Sequence, residues 1–269
     1  MMARLPGWFR KPIPAPAAMA GMRALVADLH LHTVCESALC PNVGDCFSQR
    51  TATFMLLGEV CTRRCTFCAV SKGQPRPVDE AEPENVARAV ARLGLRHAVI
   101  TSVTRDDLPD GGAAHFARTI RCIKQASPGI TVEVLVPDFR GDEKALLAVL
   151  EAGPEVLNHN LETVPRLYPE VRPGADYARS LRLLRLARKL RPQTVTKSGL
   201  MLGLGESEDE LVQVMADLRE AGCDLLTLGQ YLRPSPAHHP VVRYVPPPEF
   251  DHLAGRARRM GFAGVAAAR

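Results

Sequence analysis

The sequence predicts an α/β protein with a parallel sheet, because strand-like and helix-like segments alternate six times from residue 53 onward. Each short apolar run is followed by a longer amphipathic segment, and successive runs begin at intervals of roughly 25–40 residues, which suits right-handed crossovers between parallel strands. This pattern is shared by open doubly wound sheets and by barrels, and the periodicity does not choose between them.

The predicted elements follow in chain order. The strands are 53–60, 97–103, 131–137, 155–162, 194–202 and 224–231, and the helices are 83–94, 112–126, 142–152, 176–190, 207–221 and 247–260. Helix starts carry Pro83, Asp142 and Ser207, which suit a first turn, an N-cap and a capping box. No G-x-G-x-x-G follows the first strand, so a dinucleotide-binding sheet has no support.

Composition narrows the function classes. The net charge of +5 is too small to indicate nucleic-acid binding, and no apolar run reaches the 18 residues of a membrane span. Abundant free thiols favour a reducing, cytoplasmic location. The first 27 residues hold four cations and no acid; we interpret them as an extended arm, with a mitochondrial presequence as the alternative.

Cysteines carry the main chemical signal. Six of the eight fall within residues 35–68, as the two triplets Cys35, Cys40, Cys46 and Cys61, Cys65, Cys68. Closely spaced thiolates select zinc, copper(I) or iron–sulfur clusters. Neither triplet has a fourth ligand at zinc-knuckle spacing, and a chain of 269 residues does not need disulfides, so iron–sulfur binding is favoured over both alternatives. Three thiolates would leave one iron of a [4Fe–4S] cube open for chemistry.

Other polar residues have two interpretations each. In strand 155–162, Asn158, Asn160 and Glu162 share one face, which suggests a polar interior site. Glu133 and Lys197 would be costly to bury alone, so they either pair with each other or serve a substrate or cofactor. Separately, we expect Cys122 and Cys223 to be structural thiols, and His238 and His239 to be exposed in a Pro-rich loop.

The spacing Cys61-x3-Cys65-x2-Cys68, with Phe67 before the last cysteine, resembles the radical S-adenosylmethionine (SAM) superfamily. Further motifs resemble the lipoyl synthase family over residues 28–262: the first cysteine triplet and segments 52–58, 101–112, 158–163 and 228–235. The resemblance implies a partial (β/α)6 TIM-type barrel over residues 51–269, open on one side. Residues 1–50 would form an N-terminal cysteine-rich extension.

The resemblance also implies cofactors and partners. Cys61, Cys65 and Cys68 would bind the [4Fe–4S] cluster that holds SAM and reduces it to a 5′-deoxyadenosyl radical. The triplet Cys35, Cys40, Cys46 would bind a second [4Fe–4S] cluster that donates sulfur to carbons six and eight of an octanoyl chain. That chain is carried on a lysine of a lipoyl carrier domain or H-type protein. A flavodoxin or ferredoxin would supply single electrons.

SAM contacts implied by the resemblance are less direct. Phe67 would lie beside the adenine, with a packed aromatic as the alternative. Asn160 and Glu162 would meet the ribose or the amino group, and Arg172 the carboxylate, unless it is a surface residue. Lys197 and Met201, on the predicted strand 194–202, complete the predicted cofactor-binding set. The glycines of the run Gly199–Gly203 allow either the adenine to approach the backbone or a helix to pack closely against the strand.

One feature departs from the family. Lipoyl synthases resembling this chain end with an Arg-Ser-Ser-Tyr segment whose serine caps the second cluster, whereas no Ser or Cys follows Ser235. We expect that this segment has been lost here; the alternative is a second cluster that is open or differently capped. Three rival functions remain: a radical SAM sulfurtransferase with another substrate, a non-catalytic iron–sulfur carrier, and a zinc-binding interaction module.

Overall fold

The computed structural model describes residues 5–9, 16–34 and 53–268. Its strands are β1 His32–Thr33, β2 Thr53–Leu56, β3 Val60–Cys61, β4 Ser71–Lys72, β5 His97–Ser102, β6 Thr131–Leu135, β7 Val156–Asn158, β8 Val195–Leu202, β9 Leu225–Gln230 and β10 Gly264–Ala268. Its α-helices are α1 Pro16–Asp28, α2 Glu82–Leu93, α3 Ala113–Ala126, α4 Glu143–Glu151, α5 Tyr168–Val171, α6 Tyr177–Leu190, α7 Glu208–Glu220 and α8 Pro247–Arg259. The six predicted strand–helix units are confirmed.

The order of the strands settles the choice between a sheet and a barrel. The main sheet of the described residues runs β1-β2-β5-β6-β7-β8-β9-β10, and every pair except β1–β2 is parallel. A doubly wound sheet reverses its strand order at a switch point. Here the order follows the chain without reversal, as in a partial TIM-type barrel.

Three details differ from the prediction. Residues 16–28 form helix α1, so the prediction of an extended arm over residues 1–27 is wrong. Alanine and methionine favour a helix, and here they do so although the segment is only weakly amphipathic. Strand β10, which follows helix α8, is a seventh parallel strand that the sequence did not predict, and it pairs with β9. Strand β7 ends at Asn158. Beyond it, the His159 N–H donates to the Lys197 carbonyl of β8 at 3.0 Å, and Glu162 forms an isolated bridge with Leu200. Glu162 has a left-handed backbone, with φ of 65°.

The apolar core lies between the strands and the helices that cover them. Phe116 and Ile120 of α3 and Leu146 of α4 are among its fully buried side chains. Capping sets where two helices begin: Asp142 accepts from the first-turn N–H groups of α4, and Ser207 with Glu210 forms a reciprocal capping box on α7. Within the described ranges, no helix is both long and apolar enough to span a membrane.

Candidate metal and cofactor site

The loop Cys61–Cys68 follows β2 and lies across the carboxyl ends of the parallel strands, where chemistry sits in barrels. All three of its cysteines line one cavity of about 340 Å³. Backbone hydrogen bonds hold the loop on both sides: the Thr62 N–H donates to the Thr104 carbonyl, and the Thr66 N–H donates to the Val171 carbonyl, both at 3.0 Å. The thiols are therefore presented to the cavity by a loop anchored to its neighbours.

Arg63 attaches this loop to the barrel through charge. Its guanidinium donates to both carboxylate oxygens of Asp106, at 2.8 and 3.0 Å, and to Asp138 at 2.6 Å. Asp138 is 1% exposed and also accepts from Arg179 of α6 at 2.9 Å. Burial opposes ionisation of Asp138, but the two arginines outweigh it and hold the pKa of its carboxyl well below the usual range. The sequence analysis included Asp106 only within the motif 101–112 and did not single out Arg63, Asp138 or Arg179.

The cysteine sulfurs suit metal binding. The backbone N–H groups of Arg63 and Thr104 donate to the Cys61 sulfur at 3.4 and 3.3 Å, which fixes the position of this sulfur at the cavity. Burial raises the pKa of Cys65, and it raises the pKa of Cys68 to about 11. Without a metal these two thiols therefore remain protonated at neutral pH, and metal binding must displace their protons.

The facing wall of the cavity is polar. Asn160 and Glu162 both line it, and the Asn160 amide donates to the Glu162 carboxylate at 3.1 Å. Gly199 of β8 makes room for this pair, because a Cβ at that position would lie 2.8 Å from the Asn160 amide oxygen. This supports the close-packing role for Gly199. Burial raises the pKa of Glu162, whereas nearby Arg172 lowers it, so a cation in the cavity would favour the ionised carboxylate.

Arg172 turns one nitrogen toward the protein and leaves another without a partner. Its Nη1 donates to the carbonyls of Asn160 and Leu161, each at 3.0 Å, and to the Tyr168 hydroxyl at 3.1 Å. Its Nε is buried and has no hydrogen-bond partner among the described residues. The Ser102 hydroxyl, which lines the same cavity, is also buried and has no partner within the described ranges. Buried polar atoms are rarely left unpaired, so both atoms suit hydrogen bonds to a ligand in the cavity.

The structure brings most of the predicted site residues together. Cys61, Cys65, Cys68, Phe67, Asn160, Glu162 and Arg172 all line the cavity. Lys197 and Met201 are not among its lining residues. Lys197 instead donates to Glu133 at 2.8 Å, as the pairing interpretation predicted. Cys35, Cys40 and Cys46 lie outside the described residues.

The predictions for the remaining histidines and cysteines have mixed outcomes. His239 is buried rather than exposed; its backbone N–H donates to the Thr66 carbonyl at 2.9 Å, so the loop after β9 braces the cysteine loop. Cys223 is buried, and Cys122 is half-buried on α3, away from the cavity lining. In the described ranges, no three His, Cys, Asp or Glu side chains are grouped to hold a single metal ion. A cube differs from such a site, because each thiolate binds its own iron.

Comparison with known proteins identifies the family. The radical SAM superfamily matches residues 55–229. A lipoyl synthase of Caldanaerobacter subterraneus is 56% identical over 99% of this chain and 93% of its own length. The lipoyl synthase of Thermus thermophilus is 55% identical over 97% of this chain and 81% of its own. The chain belongs to the lipoyl synthase family.

Solved structures agree with this family at the level of the fold. Methylornithine synthase aligns with a TM-score of 0.54 at 14% identity, covering 93% of this chain and 84% of its own. Streptococcus suis SuiB bound to S-adenosylmethionine gives 0.63 at 10% identity, covering 86% of this chain and 55% of its own. Membership of the lipoyl synthase family, within the radical SAM superfamily, implies a [4Fe–4S] cluster and SAM, and the cavity's thiols and unpartnered polar atoms fit both.

In this member of the lipoyl synthase family, Arg63→Ala should lower the unfolding free energy of the metal-free protein by about 3 kcal/mol, because it removes one partner of a buried ion pair. Iron bound after reconstitution should fall as well. Arg63→Lys should be intermediate, since an ammonium cannot bind Asp106 in two-point fashion. The control is Arg64→Ala, an exposed neighbour, with an expected change within about 0.5 kcal/mol. Urea unfolding measures all three, and equal losses for Arg63 and Arg64 would contradict the anchoring role.

His159 generates a pH prediction for this lipoyl synthase family protein. Burial, and then the charge of Arg172, lower its pKa to about 4. An unfolded histidine binds its proton near pH 6.5, so between pH 6.5 and 4 the unfolded state holds more protons than the folded state. Stability should therefore decrease as the pH is lowered from 6.5 to 4, and this residue should contribute up to about 3 kcal/mol of the decrease. His159→Gln should flatten that decline in urea unfolding of the metal-free protein, whereas exposed His252→Gln should not; parallel curves would refute the assignment.

Proposed function

We propose that this protein inserts two sulfur atoms into an octanoyl chain bound to a lysine of a lipoyl carrier domain or H-type protein. The observation that carries the proposal is the convergence of Cys61, Cys65 and Cys68 with Glu162 and Arg172 on one cavity. The family relationship supports the same reaction class, a SAM-dependent sulfurtransferase.

The three cysteines would hold a [4Fe–4S] cluster as thiolates. When bound, the cluster and SAM together supply the radical that takes hydrogen from an unactivated carbon. The protein's part is to fix the ligands and keep water out. Arg63, with Asp106 and Asp138, holds the cysteine loop still, and the apolar cavity wall of Met55, Val103, Leu135, Val136 and Pro137 excludes solvent.

The polar wall would orient SAM. Glu162, whose ionised form is disfavoured by burial, would accept a hydrogen bond from the SAM amino group, with Asn160 beside it. Arg172 would bind the SAM carboxylate through its unpartnered Nε, while its Nη1 stays bonded to backbone carbonyls. Phe67 would pack against the adenine, and the Ser102 hydroxyl is available to a ribose or amino group. Lys197 and Met201 are assigned no contact with SAM, because neither lines the cavity.

Cys35, Cys40 and Cys46 would bind a second [4Fe–4S] cluster that donates the sulfur. A flavodoxin or ferredoxin would deliver the electrons. Against a non-catalytic iron–sulfur carrier, the favouring observation is the pair of unpartnered polar atoms, Ser102 Oγ and Arg172 Nε, because a cluster held by cysteines alone would leave both without partners. We place the reaction in the cytoplasm on the same grounds as before, the abundance of free thiols.

Metal content tests both cysteine triplets. Anaerobic reconstitution should give about eight irons and eight sulfides per chain, since two cubes hold that many. Cys65→Ala should retain about four and lose SAM cleavage, because the SAM cluster has lost a ligand. Cys40→Ala should retain about four, keep SAM cleavage and lose sulfur insertion. Cys122→Ala is the matched control and should change nothing. About four irons in the unmodified protein would reject the second cluster, and zinc in place of iron would reject the function.

SAM affinity tests Arg172. Arg172→Gln removes a charge-assisted hydrogen bond, which stabilises by about 1.5–3 kcal/mol, so the dissociation constant should rise about 10- to 100-fold. Equilibrium dialysis of SAM against reconstituted protein measures this, with iron per chain confirming that the cluster remains. Arg166→Gln is the control, since Arg166 is exposed and pairs with Glu210. Unchanged affinity with full iron content would exclude Arg172 as the carboxylate partner.

A further inference from the structure

A second group of buried polar side chains lies on the inner face of the sheet, apart from the residues assigned to SAM. Glu133 of β6 is 5% exposed, and its Oε1 accepts from Lys197 at 2.8 Å and from the Asn158 amide at 3.4 Å. The ring of His97 lies 3.2 Å from its Oε2. The proposed binding of SAM and the clusters uses none of these four residues.

A row of register partners connects this group with the cavity. Asn158 and Lys197 are partners across β7 and β8. The row continues through Leu135 and Thr101 to Met55, and these three residues line the cavity. Partners in a sheet point to the same face, so Asn158 and Lys197 face the barrel interior beside the cavity. Lys197 is 25% exposed, so solvent enters this part of the interior.

Asn158 and Lys197 present complementary hydrogen-bonding groups that are not in use. Asn158 is 6% exposed, and its buried Oδ1 has no partner in the part of the chain that the structure describes. The Lys197 ammonium has three N–H groups, and within the described ranges it donates one hydrogen bond, to Glu133. Because both side chains bond to the same Glu133 oxygen, the unused acceptor and the unused donors belong to neighbouring groups. Buried polar atoms are rarely left unpaired, so this pair suits a ligand.

The chemistry of the pair selects one class of ligand. A carboxylate would accept from Lys197 but would be repelled by the Asn158 oxygen and by Glu133, whereas an ammonium group would be repelled by Lys197. A secondary amide is neutral and has one donor and one acceptor, so it satisfies both residues. Leu135, the register partner of Asn158, belongs to the apolar wall of the cavity. An alkyl chain attached to the amide carbonyl would therefore continue along that wall.

We propose that Asn158 and Lys197 bind the amide that joins the octanoyl chain to the carrier's lysine. This inference rests on the proposed function, whose substrate contains such an amide. The Asn158 Oδ1 accepts from the amide N–H, and the Lys197 ammonium donates to the amide carbonyl. Glu133 is a positioning residue, because it holds both side chains without contacting the substrate. The subsite therefore selects octanoyl groups carried on nitrogen over those carried on oxygen or sulfur.

Replacing the amide nitrogen by oxygen tests Asn158. Two fluorescent peptides carry the octanoyl chain either as the amide of a lysine or as the ester of the matching hydroxyl side chain, which lacks the N–H. Fluorescence anisotropy gives both dissociation constants with anaerobically reconstituted protein. The amide should bind about 10- to 100-fold more tightly, because the ester leaves the buried Asn158 oxygen unpaired. N158A should lose this preference, since it lacks the acceptor.

Lys197 should give a different result. The variant E133Q/K197M should bind amide and ester about tenfold more weakly without changing their ratio by that amount, because both peptides keep the carbonyl. Both residues are changed together because a Glu133 carboxylate is costly to bury without its cation. The control is S198A, on the opposite face of β8, where the buried Ser198 hydroxyl accepts from the Leu161 N–H at 3.3 Å. S198A should retain the amide preference, and iron per chain confirms that each variant folds.

Equal affinities for amide and ester in the unmodified protein would overturn the subsite, since the Asn158 oxygen would then bind water only. An N158A protein that retains iron and the full amide preference would overturn it as well. So would S198A losing the preference as completely as N158A, because general loosening of the barrel would explain both. Mass spectrometry of the reacted amide peptide tests the proposed function separately. Absence of sulfur insertion by unmodified protein with about eight irons would overturn that function, whatever the amide preference.

Discussion

The ion pairs of buried Asp138 hold the site together. The Asp138 carboxylate accepts hydrogen bonds from Arg63 of the cysteine loop and from Arg179 of α6, and Asp138 itself lies just after the end of β6. A carboxylate that is almost fully buried would be very costly to ionise alone, so the two arginines cannot be removed without large loss. The cost of burying this charge therefore fixes the distance between the cysteine loop and the barrel wall.

A second set of charges, which are partly buried, shapes the other side of the cavity. Glu162 and Arg172 lie on the same wall with opposite charges, yet neither fully satisfies the other, since the Arg172 Nε remains unpartnered and the Glu162 carboxylate is bonded by Asn160. Glu162 has a left-handed backbone, yet it still bridges β8, because its N–H donates to the Gly199 carbonyl and its carbonyl accepts from the Met201 N–H. Such strain is characteristic of residues whose orientation serves a ligand rather than the fold.

The cysteine loop closes one side of a cavity with one apolar and one polar wall, suited to an organic cofactor and an alkyl chain. The other side of the loop meets solvent, since Arg64 is exposed. The apolar wall keeps water from the cavity, which suits radical chemistry because a radical must be shielded from solvent.

The sequence alone determined the six strand–helix units and the spacing of the cysteines, because hydrophobic periodicity and metal-ligand spacing are local properties. It also placed Asn160 and Glu162 on one face, although the strand that suggested this ends at Asn158. The sequence offered Arg172 as a candidate for the SAM carboxylate without indicating its contacts. The sequence did not predict helix α1 or strand β10, because neither has a strong hydrophobic periodicity of its own and β10 depends on pairing with β9.

Only the tertiary structure decided that the parallel sheet follows a barrel order, because strand neighbours are not encoded within any one segment. It alone showed that Arg63 joins Asp106 and Asp138, residues 43 and 75 positions away. It showed that Lys197 pairs with Glu133, and that His239 is buried and bonds to the cysteine loop. These outcomes all depend on which distant side chains share a low-dielectric interior, where an unpaired charge is too costly to persist.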